Sequence, residues 1–197
     1  MRILIVYGTT HGHTARIAER IASRLRERGA AVTLAPCAKE GRPAEFDGTI
    51  VGARVHGSRY PWRVDRFIRR HHRALACRPS AFFSVSLLQL SPDRARSVAT
   101  HALPARRITR LGWSPELVKV FGGALYWRRQ YGRLAPLFKQ MWRRTLGPVL
   151  DTALEEQIFT NWDDVDRFAD DFFELTLSRV RPGITRLPSE EFAPAAS

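Results

Sequence analysis

The chain has 197 residues, of which 44% are hydrophobic, so it suits one globular domain with a sizeable core. Thirty-two Lys and Arg residues oppose nineteen acids, and the resulting net charge of +13 favours anionic partners: nucleic acid, acidic lipid headgroups or a small polycarboxylate. Two cysteines are too few for a disulfide scaffold or a thiolate zinc site, and no apolar run approaches the roughly 18 residues of a membrane span.

The elements predicted in chain order alternate between strands and helices. Short apolar runs bounded by turn residues predict strands at 2–6, 30–35, 48–53, 80–87 and 117–125. Apolar residues at helical spacing predict helices from 14 to 29, from 61 to 75, from 92 to 103 and from 163 to 178. This alternation predicts an α/β fold with a doubly wound five-stranded parallel sheet and helices on both faces.

The two ends of the chain have different compositions. The opening MRILIVYG carries one positive charge and a very short apolar run, so we do not expect a signal peptide and expect a cytoplasmic protein. Residues 1–178 are predicted to form one domain. Residues 179–197 are rich in Pro, Ala and Ser and are predicted to be a disordered tail.

The turn after the first strand is predicted to bind a phosphate, because ligands of such folds lie at the carboxyl ends of strands and a helix begins there. The lysine of nucleoside triphosphate loops and the glycine pattern of dinucleotide folds are both missing. T-T-x-G-x-T instead fits the monophosphate of FMN, as in flavodoxin-like proteins. The alternative is that Thr14 only caps the helix. The predicted phosphate-binding residues are Thr9, Thr10, His11, Gly12, His13 and Thr14.

Two later loops, GARVHGSRYPW and SVSLLQLSP, lie at the same end of the predicted sheet. With GGALYW, SAFFSV and FTNWDDVDRFA, they resemble, in order over residues 1–178, the menaquinone-dependent protoporphyrinogen oxidases of bacterial haem synthesis. The resemblance implies a flavodoxin-like core with an inserted segment, FMN as cofactor, and a quinone as electron acceptor. The loop residues then expected at the flavin are Ala53, Arg54, Val55, His56, Gly57, Tyr60, Ser86, Leu87, Leu88, Gly123 and Ala124.

The chain departs from that family within these loops. Arg54 stands where the family usually has Ser, and Ser86 stands where it usually has Asn. Arg54 could pair with the phosphate or crowd the flavin. His56 and Tyr60 are candidates to stack on the isoalloxazine or carry a proton, with simple loop packing as the alternative.

The segment from Tyr126 to Gly147 is basic and contains no acid. Its apolar residues 134, 137, 138, 141 and 142 form one helical stripe. This pattern fits an ordinary amphipathic helix packed on the domain. It also fits an interfacial helix or lid whose cations meet the propionates of a tetrapyrrole or an anionic membrane. The cations concerned are Arg128, Arg129, Arg133, Lys139, Arg143 and Arg144.

Taken with the resemblance, these features predict an FMN-dependent dehydrogenase that oxidises protoporphyrinogen IX and reduces menaquinone or ubiquinone, peripherally associated with the inner membrane. The alternatives are a flavodoxin-like quinone reductase or electron carrier with another donor, and a nucleic-acid-binding protein. Electron carriers of this fold are usually acidic, and no nucleic-acid module is recognised, so no nucleic acid is expected. No metal site is predicted, and no catalytic acid or base is identified.

Overall fold

The computed structural model describes residues 1–39, 41–55 and 60–180. Its centre is a parallel sheet of five strands in the order β2-β1-β3-β4-β5, which confirms the predicted fold class. The chain turns from β1 outward to β2 and then back across to β3, so the carboxyl ends of β1 and β3 flank the point where the winding reverses. The strands are β1 (Arg2–Gly8), β2 (Ala31–Pro36), β3 (Gly48–Arg54), β4 (Ser80–Ser86), β5 (Leu117–Gly122), β6 (Ala124–Tyr126) and β7 (Glu156–Ile158).

Helices cover both faces of the sheet because the central strands are apolar on both sides. Ile3 and Ile5 of β1 belong to a core shared with α1 and α6, whereas Leu4 and Val6 belong to a core shared with α2 and the end of α3. The helices are α1 (His13–Glu27), α2 (Trp62–Ala76), α3 (Arg94–Thr109), α4 (Trp127–Tyr131), α5 (Ala135–Leu146) and α6 (Trp162–Val180).

The predicted strand at 117–125 is wrong in its second half. β5 ends at Gly122, and the following β6 leaves the sheet to pair antiparallel with β7, which the sequence did not predict. The chain after β7 crosses directly over the end of β5: Phe159 N donates to Gly123 O at 3.0 Å. A glycine at position 122 permits this approach, because a Cβ there would lie 2.0 Å from the Phe159 carbonyl oxygen.

Helix α3 also runs past its predicted end at residue 103, because Pro104 lies inside it rather than after it. The extra turn buries Ile108 in the core on the α2 face, and this burial compensates for the backbone hydrogen bond that proline cannot donate.

The segment between β6 and β7 forms a third, smaller core outside the main sheet. Trp127 and Leu146 are fully buried there, at the beginning of α4 and the end of α5. The amphipathic segment is therefore two helices that pack on each other.

The predicted tail lies outside the described residues from 181 onward, and α6 extends to Val180. Cys37 is buried, Cys77 is exposed, and neither forms a disulfide. No helix within the described ranges is long and apolar enough to cross a bilayer.

Candidate functional site

A cavity of about 420 Å³ opens at the carboxyl edge of the sheet, a size ordinary for small-molecule sites. The turn after β1, the end of β3, the end of β4 and the start of β6 all contribute to its lining. The structure thus brings together most of the predicted cofactor residues, namely Thr9, His11, His13, Thr14, Arg54, Val55, Ser86, Leu87, Leu88, Gly123 and Ala124.

Other predicted cofactor residues do not line this cavity. Thr10 is exposed, and Ala53 is fully buried inside β3. Tyr60, expected beside the flavin, is instead a core residue: its ring packs edge-on against Phe82 at a centroid distance of 5.3 Å, and burial raises the pKa of its hydroxyl. Packing beneath α2 has therefore drawn this side chain away from the cavity. His56 and Gly57 lie outside the described residues.

The turn after β1 is built to present hydrogen-bond donors. Gly12 takes a left-handed conformation (φ 90°), and its N–H donates to Thr9 Oγ1 at 3.0 Å. That bond uses the Thr9 hydroxyl as an acceptor, so its own proton remains available to a ligand. The first helical bond runs from Arg16 N to Gly12 O, so the N–H groups of residues 13, 14 and 15 have no acceptor within the helix.

Thr14 is not the residue that caps α1. Gly12 occupies the N-cap position, and no side chain makes a capping hydrogen bond there. Thr14 lies inside the first turn, is almost fully buried, and lines the cavity. The capping alternative is therefore wrong, and the Thr14 hydroxyl is free to serve a bound group.

His13 is held as a neutral side chain at the back of the cavity. Burial, reinforced by the nearby charge of Arg16, lowers the pKa of His13 to about 4. Its Nε2 lies 2.7 Å from Thr160 Oγ1, and its Nδ1 lies 3.3 Å from the Tyr126 hydroxyl. The imidazole thus connects the start of α1 to β6 and to the turn before α6.

The charge of the cavity is positive. Arg54 contributes the cation from the end of β3, and burial lowers the pKa of its guanidinium. No carboxylate occurs among the described lining residues, and α1 has no acid in its first turn. An anionic ligand group therefore meets donors and a cation here, with no opposing acid.

One wall of the cavity was missed by the sequence analysis. It consists of Gln130, Tyr131 and Trp142 from α4 and α5, with Val85 from β4 beside Ser86. Tyr131 stacks on Phe138 (centroids 4.2 Å apart, 18° between planes) and accepts a hydrogen bond from Trp142 Nε1 at 2.8 Å. The many aromatic residues of this segment could have indicated a cavity wall, but the sequence prediction assigned a ligand role only to its basic residues.

The basic residues of this segment do not line the cavity. All five arginines, Arg128, Arg129, Arg133, Arg143 and Arg144, are exposed. Lys139 lies 3.8 Å from Glu155 and 5.6 Å from the centroid of the Trp127 ring. Arg129 differs from the others: a Cβ at Gly12 would lie 3.6 Å from its Nη2. Among the described residues, no cluster of His, Cys, Asp or Glu has the arrangement of a metal site.

The lining combines donors for a phosphate, apolar side chains such as Leu87 and Leu88, and the aromatic rings of Tyr131 and Trp142, and these three features fit the parts of a flavin mononucleotide. Within the described part of the chain, this cavity is the place where those three features meet.

Comparison with known proteins agrees with this geometry. A family model for the flavodoxin domain matches residues 4–142. A protein of Leishmania major named protoporphyrinogen IX dehydrogenase [quinone] is 31% identical over 180 residues, which are 90% of this chain and 77% of that protein. A protein of the same name from Escherichia coli K12 is 29% identical over 178 residues, 89% of this chain and 97% of that protein.

Among solved structures, a flavodoxin from an archaeon superimposes with a TM-score of 0.52 at 14% identity, covering 90% of this chain and 99% of that one. Flavodoxin 1 from Bacillus cereus superimposes with a TM-score of 0.51 at 14% identity, covering 92% of this chain and all of that one. At this level of identity, these structures establish the fold.

Proposed function

The chain belongs to the flavodoxin-domain family and, within it, to the quinone-dependent protoporphyrinogen IX dehydrogenases, which confirms the resemblance read from the sequence. From that membership we propose that it uses FMN to oxidise protoporphyrinogen IX and reduce a quinone. The observation that carries the proposal is a single cavity that joins a phosphate-type turn to an aromatic wall supplied by the segment between β6 and β7.

The first part of the proposal concerns FMN. The N–H groups at the start of α1 and the hydroxyls of Thr9 and Thr14 donate to its phosphate, and the absence of a side chain at Gly12 lets the backbone approach. Leu87 and Leu88 pack against its ring. When bound, the flavin supplies the two-electron redox chemistry, and the protein supplies position and field.

The second part concerns the substrate. Protoporphyrinogen IX has two carboxylates on an apolar macrocycle, so it needs cations beside an aromatic or apolar surface. Tyr131 and Trp142 provide that surface in the cavity wall, and Arg128, Arg133 and Arg143 provide exposed guanidinium groups on the same segment. Hydride equivalents leave the substrate in successive two-electron steps and are passed to the quinone.

The third part concerns the membrane, from which a sparingly soluble substrate and a quinone would be drawn. Leu134, Leu137 and Met141 are 60%, 65% and 46% exposed, although they belong to an amphipathic stripe. They lie on the same segment as the exposed arginines. Apolar side chains beside cations are the composition of an interfacial helix, so we assign this surface to peripheral membrane contact.

The test is anaerobic. Protein loaded with FMN is mixed with protoporphyrinogen IX, and bleaching of the flavin absorbance is followed before a quinone is added and porphyrin fluorescence is recorded. We expect bleaching, then quinone-dependent fluorescence. A triple Arg133→Glu, Arg143→Glu, Arg144→Glu variant should bind FMN normally and bleach slowly. Wild-type protein that binds FMN but is never reduced by the porphyrinogen would retain the fold and overturn the function.

A further inference from the structure

We propose that Arg129 is the cation of the phosphate-binding turn: carried on the segment between β6 and β7, it lies over Gly12 and pairs with the phosphate of the cofactor. This inference rests on the proposed function, because it takes FMN as the ligand. It adds a binding role to a residue that the sequence assigned to substrate or membrane.

The position of the guanidinium carries the inference. A Cβ built on Gly12 would lie 3.6 Å from Arg129 Nη2 and 3.9 Å from Arg129 Nη1. Both terminal nitrogens therefore face the turn whose N–H groups and Thr9 hydroxyl are available as donors. A phosphate at the start of α1 would accept hydrogen bonds from the N–H groups of the turn and also from both terminal nitrogens of Arg129. Two parallel N–H donors are the geometry in which arginine binds phosphate best.

No acid competes for this guanidinium. Across the described ranges, Arg129 has no ion pair with an acidic side chain. Arg20 and Arg24 of α1, and Arg28 directly after it, are all paired with acids of α6. The neighbouring imidazole of His13 does not supply a charge either, because its pKa of about 4 keeps it neutral at physiological pH. Arg129 is thus a second cation without an acidic partner at this site, beside Arg54 of the cavity wall, and its guanidinium lies next to the turn itself.

The helix that carries Arg129 is anchored on both sides of it. The Trp127 side chain is fully buried, and the backbone N–H of this residue donates to Glu155 O at 3.1 Å. Gln130 Nε2 donates to Ala124 O at 3.2 Å, and the Tyr126 hydroxyl accepts from Arg16 Nη1 at 3.3 Å. Since α4 is fixed against β6 and α1, the backbone of Arg129 is held beside the turn, and only its side chain has to be ordered when the phosphate binds. Cofactor binding in turn stabilises α4 on the domain.

The consequence is a preference for a phosphorylated flavin. Apoprotein is titrated with FMN and with riboflavin, which lacks the phosphate, and the dissociation constants are compared for wild type, Arg129→Met and the control Arg128→Met. The control changes the adjacent exposed arginine. Circular dichroism spectra establish that all three proteins are folded.

We expect Arg129→Met to weaken FMN about 10- to 100-fold and riboflavin less than twofold, and Arg128→Met to change neither by more than twofold. Added salt should reduce the preference of wild type for FMN more than that of Arg129→Met. If Arg129→Met weakens both flavins equally or weakens neither, the inference is overturned and the proposed function stands. Wild-type protein that binds neither flavin overturns both.

Discussion

His13 Nε2 lies 2.7 Å from Thr160 Oγ1, and the pair joins the start of α1 to the turn before α6. The Thr160 hydroxyl donates its one proton to Gly122 O at 2.6 Å, so it accepts from His13 and Nε2 carries the imidazole proton. Nδ1 is then an acceptor for the Tyr126 hydroxyl. This network fixes the neutral tautomer and ties the phosphate-binding turn to the end of β5 and to β6.

The neutral state of His13 predicts a specific pH dependence of stability. The unfolded chain binds the proton near the ordinary pKa of 6.5, whereas the folded protein binds it only near 4. The stabilisation is therefore complete above pH 6.5 and is lost as the pH falls toward 4. In urea unfolding, the wild type should lose about 2 kcal/mol more between pH 7 and pH 5 than His13→Gln, which keeps an amide donor for Thr160. Identical losses in both proteins would contradict this account.

The hydroxyls of the turn can be distinguished by position. Thr9 and Thr14 line the cavity and Thr10 does not, so Thr9→Val and Thr14→Val should each weaken FMN binding about 10- to 100-fold, as charge-assisted hydrogen bonds are lost. Thr10→Val is the matched control and should bind FMN like the wild type. The measurement is quenching of flavin fluorescence on titration. An effect confined to Thr10→Val would place the phosphate elsewhere on the turn.

The parts of the fold that the sequence predicted are those governed by local pattern. Continuous apolar runs such as residues 2–6 give buried strands, and the 3.6-residue repeat of α1 gives a helix with one buried face. Because the carboxyl ends of parallel strands share one edge, the loops at residues 9–14, 53–55 and 86–88 were also expected to meet. They do so around the cavity.

The parts that it did not predict depend on distant contacts. The break after Gly122 arises from the chain at Phe159, which crosses the end of β5, and no local signal marks it. The apolar stripe of α5 divides because Phe138 and Trp142 pack with Tyr131, while Leu137 stays exposed. Tyr60 was predicted to lie beside the flavin because its loop follows β3, but its ring packs in the core beneath α2.

The crossing at Gly122 predicts a large loss of stability for Gly122→Ala. The added Cβ would lie 2.0 Å from the Phe159 carbonyl oxygen, so the backbone has to shift, at a cost of about 2–3 kcal/mol. Gly29→Ala is the reference, because a Cβ added at Gly29 would meet open space. Only the positive φ of this residue disfavours alanine, so we expect a loss of about 1 kcal/mol in stability. Denaturant midpoints would measure both. If the Gly122→Ala protein were as stable as the wild type, the chain at Phe159 would be able to shift without cost, and the prediction would be wrong.

The surface formed by residues 133–144, on α5 and the turn before it, is predicted to bind anionic membranes through two separable contributions. Its exposed arginines attract anionic headgroups, each by about 1 kcal/mol, and this part weakens as salt screens the charges. The exposed side chains of Leu134, Leu137 and Met141 enter the interface and add a part that salt does not weaken. Co-sedimentation with phosphatidylglycerol-containing vesicles should therefore decline with salt toward a residual level, which is lower when the three apolar residues are changed to serine.

Charge reversal provides the matched comparison. The variant Arg133→Glu, Arg143→Glu, Arg144→Glu should sediment at or below the residual level of the wild type in high salt. The variant Arg66→Glu, Arg69→Glu, Arg73→Glu makes the same change in net charge on α2 and should retain most of the wild-type sedimentation. Val98→Ser, which alters an exposed apolar residue of α3, should have no effect. Equal losses in both charge-reversal variants would mean that net charge alone attracts the protein to vesicles and that α5 has no special part in it. If sedimentation were undiminished in high salt, the exposed arginines would make no electrostatic contribution to membrane binding.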